Sequence, residues 1–156
     1  MTTITIEHET DTAHRLSCHK GKCANLHGHR YEYAISIEVK GTIENTEFVD
    51  FYDLKKQVRD ELDTLLDHGV LLKVCPANEP LIAVLTALQN KLTLLVQEPT
   101  VEAMTEWLSV RLNNLPGLEG RLVQLTIYET PTNYCTWVRE AKCKCVQEVR
   151  DEISNS

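Results

Sequence analysis

Three imidazoles and a thiol fall within one short region of the chain: His14, Cys23, His27 and His29. In an extended strand, side chains two residues apart share a face, so His27 and His29 point the same way. A neighbouring strand ending at His14 would supply the third ring. Three neutral imidazoles on Zn²⁺, each at about 2.0–2.1 Å, leave a fourth position open to water or substrate, the arrangement of catalytic zinc sites. Two plainer readings stay open at this point. A His-x-His pair also describes two half-exposed strand histidines, and Cys23 as a fourth ligand would close the site into a structural Cys-His₃ centre.

Other groups with chemical potential lie further along. Asp67-His68 sets a carboxylate beside an imidazole, although a histidine after the last turn of a helix also serves as a cation for the helix dipole. Glu129 ends an apolar strand face, where a carboxylate is costly to bury unless paired; a solvated strand end is the alternative. Thr100 precedes an apolar helical stripe and reads as an N-cap. His8 and His19 fall in no motif and read as surface histidines. Cys143-Lys144-Cys145 offers two thiolates, too few to complete a metal site.

These groups need a scaffold, and the patterning supplies one. Tyr31, Tyr33, Ile35, Ile37 and Val39 alternate with Glu32, Ala34, Ser36 and Glu38, which predicts a strand. Residues 2–12 alternate less regularly and predict an antiparallel neighbour that carries His14 at its end. Leu54, Val58, Leu62, Leu65 and Leu66 recur at helical spacing and predict a first helix over about 53–66, with Asp50 or Asp53 as N-cap. Val101, Met104, Leu108, Leu112 and Leu115 predict a second, ending before Pro116-Gly117. Val123, Leu125, Ile127 and Glu129 alternate again, and Tyr134 to Val138 closes a second hairpin. The resulting order is β-β-α-α-β-β, with an insertion at about 75–99 in which 80–89 is helical and 93–96 extended. Residues 1–140 then form one domain, and 141–156 form a tail.

Composition bounds the function. A chain of 156 residues, 42% hydrophobic and 25% charged, is of single-domain size and of the soluble globular class. Sixteen Lys and Arg against 23 Asp and Glu give a net charge of −7, which argues against nucleic acid or an anionic membrane as partner. An anionic small substrate would need a local basic pocket, for which Arg15, Lys20 and Lys22 are the nearest cations. The N-terminus has neither a basic start nor an apolar run, and no stretch approaches the length of a membrane span. A cytoplasmic location is expected, with the six cysteines present as thiols.

An ordered set of motifs carries a resemblance. Ala13-His14-Arg15-Leu16, Cys23-x₃-His27-Gly28-His29-x-Tyr31, Val49-Asp50-Phe51, Leu66-Asp67-His68, Pro99-Thr100-x-Glu102 and Glu129-Thr130 resemble the 6-pyruvoyltetrahydropterin synthase / 6-carboxytetrahydropterin synthase family. The short gap from Cys23 to His27 is similar to that of the carboxy-type enzymes of 7-deazaguanine and queuosine synthesis. The resemblance implies an α+β T-fold, with an antiparallel sheet, helices on one face, and subunits that close barrels as homo-oligomers, commonly hexamers. It implies zinc as cofactor, held by His14, His27 and His29. It also implies Cys23 as base, Asp67 and His68 as a proton relay, and Glu129 and Thr100 at the pterin. The implied substrate is 7,8-dihydroneopterin triphosphate, and the implied products are 6-carboxy-5,6,7,8-tetrahydropterin, acetaldehyde and triphosphate. The family's Leu-Asn after the Asp-His pair is absent from Gly69 to Lys73.

Overall fold

A computed structural model of the chain describes residues 2–41, 45 and 49–140; Cys143 and Cys145 lie outside them. Its elements are β1 (Thr2–His14), β2 (His27–Val39), α1 (Phe51–Leu65), β3 (Gly69–Lys73), α2 (Glu79–Ala87), β4 (Leu92–Leu95), α3 (Val101–Asn113), β5 (Leu122–Thr130) and β6 (Asn133–Val138). Among the described residues the strands form one mixed sheet in the order β4-β3-β1-β2-β5-β6.

The antiparallel half, β1-β2-β5-β6, follows the alternation of its sequence. Ile6, Tyr31, Tyr33, Ile35 and Ile37 are buried on the face that α1 and α3 cover, while Glu7, Glu9, Asp11, Arg30 and Glu32 stand exposed on the other. Asp50 caps α1 by accepting the Tyr52 N–H at 2.7 Å, and Leu54, Val58 and Leu62 form its buried stripe. In α3 the stripe is Met104, Leu108 and Leu112. Each fully buried side chain of this kind contributes about 1.5–3 kcal/mol on burial.

Two differences from the sequence expectation have physical causes. The sheet is not purely antiparallel, because β3 runs parallel to both β1 and β4. As an interior strand β3 buries Leu71 and Leu72 on successive positions, so it shows no period of two and reads as loop. Helix α2 is the crossover that joins the parallel pair β3 and β4. In β5 the register against β2 shifts between Ser36 and Ile37, so Leu122 rather than Val123 takes the core position.

Candidate active site

The long hairpin β1-β2 sets His14 directly opposite His27, and Thr12 opposite His29, all on the helix-covered face. One nitrogen from each of His14, His27 and His29 lies within 4.8 Å of the others. His14 and His27 approach most closely, with their Nε2 atoms 3.1 Å apart.

Backbone carbonyls fix which nitrogen each ring presents. A carbonyl can only accept, so His14 Nδ1–H donates to Pro99 O at 2.8 Å and His27 Nδ1–H donates to Asn25 O at 2.9 Å. With both rings neutral, each Nε2 carries a lone pair and the two face each other, an arrangement that a shared proton or a metal cation between them would stabilise. Two ligands of one tetrahedral ion at about 2.0–2.1 Å stand roughly 3.3–3.4 Å apart. The observed separation is close to that bite, and ligand imidazoles with the second nitrogen bonded to a carbonyl are the usual support of a metal site. The donor set fits Zn²⁺. Burial pushes His14 below its ordinary value, and the neighbouring His27 and His29 add to this, which keeps the ring neutral and able to bind metal.

Glu129 faces the same cluster. The register of β5 against β6 shifts between Tyr128 and Thr130, leaving Glu129 without a ladder partner there, and a shift of this kind re-aims a side chain. Its Oε1 lies 3.8 Å from His14 Nε2 and 3.9 Å from His29 Nε2. The buried Tyr31 hydroxyl donates to Glu129 at 3.4 Å and lies 3.3 Å from His14 Nδ1. Burial first, then the Glu129 carboxylate, push the Tyr31 phenol up, so it stays a neutral donor.

Cys23 sits half-buried on a 3-10 turn, Lys22–Ala24, outside the cluster of nitrogen ligands. Its loop is strapped down from two sides. The Leu16 N–H donates to Cys23 O at 3.0 Å. Arg15 donates to Ala24 O at 2.9 Å, to Ala77 O at 3.1 Å and to the side-chain oxygen of the fully buried Asn78. Glu98 accepts from the Ser17 N–H at 2.8 Å and from the Ser17 hydroxyl, with Lys73 Nζ at 3.6 Å. The segment 98–100 thus serves three ends: Glu98 anchors the cysteine loop, Pro99 orients His14, and Thr100 caps α3 by accepting the Ala103 N–H at 3.3 Å.

Asp67-His68 stands elsewhere. His68 Nδ1 bonds Asp67 Oδ2 at 2.8 Å, and the ring is 78% exposed. His68 lines an open cavity of about 470 Å³ with Asp11, Ala13, Gly28 and Arg30, and Thr12 and His29 also border it. In the strand alternation Asp11, Ala13, Gly28 and Arg30 belong to the opposite face from His14 and His27, while Thr12 and His29 share the face of the imidazoles.

The structure thus brings His14, His27, His29 and Glu129 together, gives Thr100 the cap of α3, and sets the Asp67-His68 pair apart from the imidazole cluster. His8 is no plain surface residue: its Nε2 meets Asp63 on α1 at 2.7 Å. His19 is exposed, and its Nδ1 accepts the Gly21 N–H at 2.9 Å. Arg15, Asn78, Glu98 and the Tyr31 hydroxyl were not legible as site supports, since no local pattern marks a side chain that bonds a distant carbonyl or carboxylate.

A curled mixed sheet with helices on one face, carrying at the end of its central hairpin three imidazoles close enough together to hold a metal ion, defines a T-fold protein. The chain belongs to the 6-pyruvoyl tetrahydropterin synthase family, whose sequence profile matches residues 3–140. It is 31% identical over 138 residues to the 6-carboxy-5,6,7,8-tetrahydropterin synthase of Haemophilus influenzae, covering 86% of this chain and 96% of that one. It is 32% identical over 120 residues to the protein of the same name from Synechocystis, covering 73% and 78%. Two solved structures share the fold. An uncharacterized protein from Wolinella succinogenes matches with a TM-score of 0.68 at 18% identity, covering 90% of this chain and 100% of that one. The Caenorhabditis elegans 6-pyruvoyl tetrahydropterin synthase matches with a TM-score of 0.61 at 23% identity, covering 90% and 98%.

Proposed function

We propose that this protein is a zinc-dependent 6-carboxy-5,6,7,8-tetrahydropterin synthase, a carbon–carbon lyase of 7-deazaguanine and queuosine synthesis. The observation that carries the reading is the convergence of His14, His27 and His29, with the Nε2 atoms of His14 and His27 3.1 Å apart. The names of the relatives support the substrate class. Bound at these imidazoles, Zn²⁺ would supply Lewis acidity to the hydroxyls of the pterin side chain.

The chain's own residues do the rest. Glu129 accepts N–H groups from the guanidine-like edge of the pterin, a charge-assisted pairing that explains a carboxylate in this position. Cys23, as thiolate, removes a side-chain proton, and His68 returns one, with Asp67 bonded to its Nδ1 to fix the tautomer. With water, 7,8-dihydroneopterin triphosphate yields 6-carboxytetrahydropterin, acetaldehyde and triphosphate. Thr100, which starts α3 beside Pro99, lines the pterin pocket with Glu129.

His68 lies across the sheet from the imidazoles, so we place the relay of one subunit at the zinc and Cys23 of another, in a homo-oligomer of hexamer type. Among the described residues β4 and β6 form the two edges of the sheet, which give neighbouring subunits backbone to join. No helix among the described residues is long and apolar enough to cross a membrane, and a reducing cytoplasm suits the free thiols. The experiment that tests this reading is turnover of dihydroneopterin triphosphate by the zinc-loaded protein, with the pterin product identified by mass.

A further inference from the structure

The Asp67-His68 pair is held in an uncommon backbone state. His68 has φ 53°, in the left-handed region that a residue with a Cβ avoids. Such a state persists only when its surroundings over-determine it. Two anchors come from β1: the His68 N–H donates to Asp11 O at 2.8 Å, and the Asp11 N–H donates to Asp67 Oδ1 at 3.1 Å.

The third anchor is Lys91, which lies between α2 and β4. Its Nζ donates to Asp67 O at 2.6 Å and to Asp63 O at 2.8 Å. Asp67 O belongs to the peptide that leads into His68, so the ammonium grips the unit whose rotation would turn the imidazole. Helix α1 has no basic residue in its last turn. Lys91, reaching in from 28 residues away, supplies the cation that the negative helix end favours.

Gly69 reports the same fit. A Cβ there would meet Lys91 Cδ at 3.0 Å and Leu66 O at 3.1 Å, so the lysine stem occupies the space a side chain would take. Next to it the Lys91 backbone accepts the Val70 N–H at 3.0 Å, which joins β3 to β4 and fixes where the stem begins.

We propose that Lys91 is a positioning residue for the reaction, acting through the Asp67-His68 peptide to hold the proton relay in its working orientation. The inference rests on the assignment of Asp67 and His68 to proton transfer. Burial pushes the Asp67 carboxyl up, but the His68 ring, the Asp11 amide and the Lys91 charge outweigh it and hold the group below its ordinary value, consistent with an ionised partner for His68.

The test is a double-mutant cycle with dihydroneopterin triphosphate as substrate, on zinc-loaded protein. Lys91→Met should lower kcat about 10- to 100-fold, the scale of a misplaced catalytic group, with KM and zinc content within about twofold of wild type. In a His68→Ala background the same change should lower kcat no further, because the group it positions is gone. Lys91→Arg, whose fork reaches both carbonyls, should recover most of the loss. Lys91→Gln, which keeps an N–H donor without the charge, repeats the cycle as a guard against a folding defect in the methionine variant. Wild-type kcat in Lys91→Met and Lys91→Gln, or an equal fall in the His68→Ala background, would overturn the role of Lys91 alone. A wild-type protein that does not turn over the pterin would overturn the assigned reaction instead.

Discussion

His14 Nδ1 donates to the carbonyl of Pro99 at 2.8 Å across 85 residues of sequence, tying the buried zinc-ligand candidate to the residue just before the cap of α3. The bond fixes the tautomer of the imidazole and aims Nε2 at His27. A helix start and a strand end are thereby locked to one another, and the geometry of the imidazole cluster is set by contacts within the protein.

Loss of one ligand should therefore weaken metal binding and turnover together. His27→Ala and His29→Ala are the informative variants, since both rings are half-buried and their removal leaves the core intact. Zinc per subunit, read by atomic absorption, should fall well below one in each variant, with activity falling in step. Full zinc with unchanged turnover in either would sink the ligand assignment.

Cys23→Ala should behave differently. The thiol stands outside the nitrogen cluster, so zinc should be retained while kcat drops about 10²- to 10⁴-fold, the usual contribution of a general base. A metal-free Cys23→Ala protein would point to a closed Cys-His₃ site.

The strap over the cysteine loop predicts a pH effect on stability. Burial alone would push Glu98 up, but the bonds from Ser17 and the Lys73 ammonium outweigh it and hold the carboxyl below its ordinary value of 4.5. A carboxylate with a depressed folded pKa contributes stability above the unfolded value and loses it as pH falls through the folded one. Melting curves from pH 7 downward should thus show Glu98→Gln less stable by about 1–3 kcal/mol near neutrality. The gap should shrink once pH passes below 4.5. A pH-independent gap would show that charge is not what holds Ser17.

Assembly gives a further prediction. With His68 on the face opposite His14 and His27, mixing Cys23→Ala with His68→Ala subunits after dissociation and reassembly should restore part of the activity that each lacks alone. Light scattering that finds a monomer, or no recovery despite proven subunit exchange, would remove the shared-site arrangement and leave the imidazole cluster standing.

Much of this was legible in the sequence where one local period governs one element. Tyr31 to Ile37 alternate because β2 has one covered face, and Leu54, Val58 and Leu62 repeat because α1 does. His14 opposite His27 followed from the same hairpin logic. What stayed hidden depended on contacts far apart in sequence: β3 lacks alternation because it is buried on both faces, and Glu129 gains its aim from a register shift. Arg15, Glu98 and Lys91 bond groups 9 to 81 residues away, which no window of neighbouring residues encodes.

The measurement closest to the central claim is the ratio of acetaldehyde to triphosphate released from 7,8-dihydroneopterin triphosphate by the zinc-loaded protein. Equal release of the two is expected, with 6-carboxy-5,6,7,8-tetrahydropterin as the pterin product. Triphosphate released without acetaldehyde, alongside a pterin that keeps all three side-chain carbons, would contradict it.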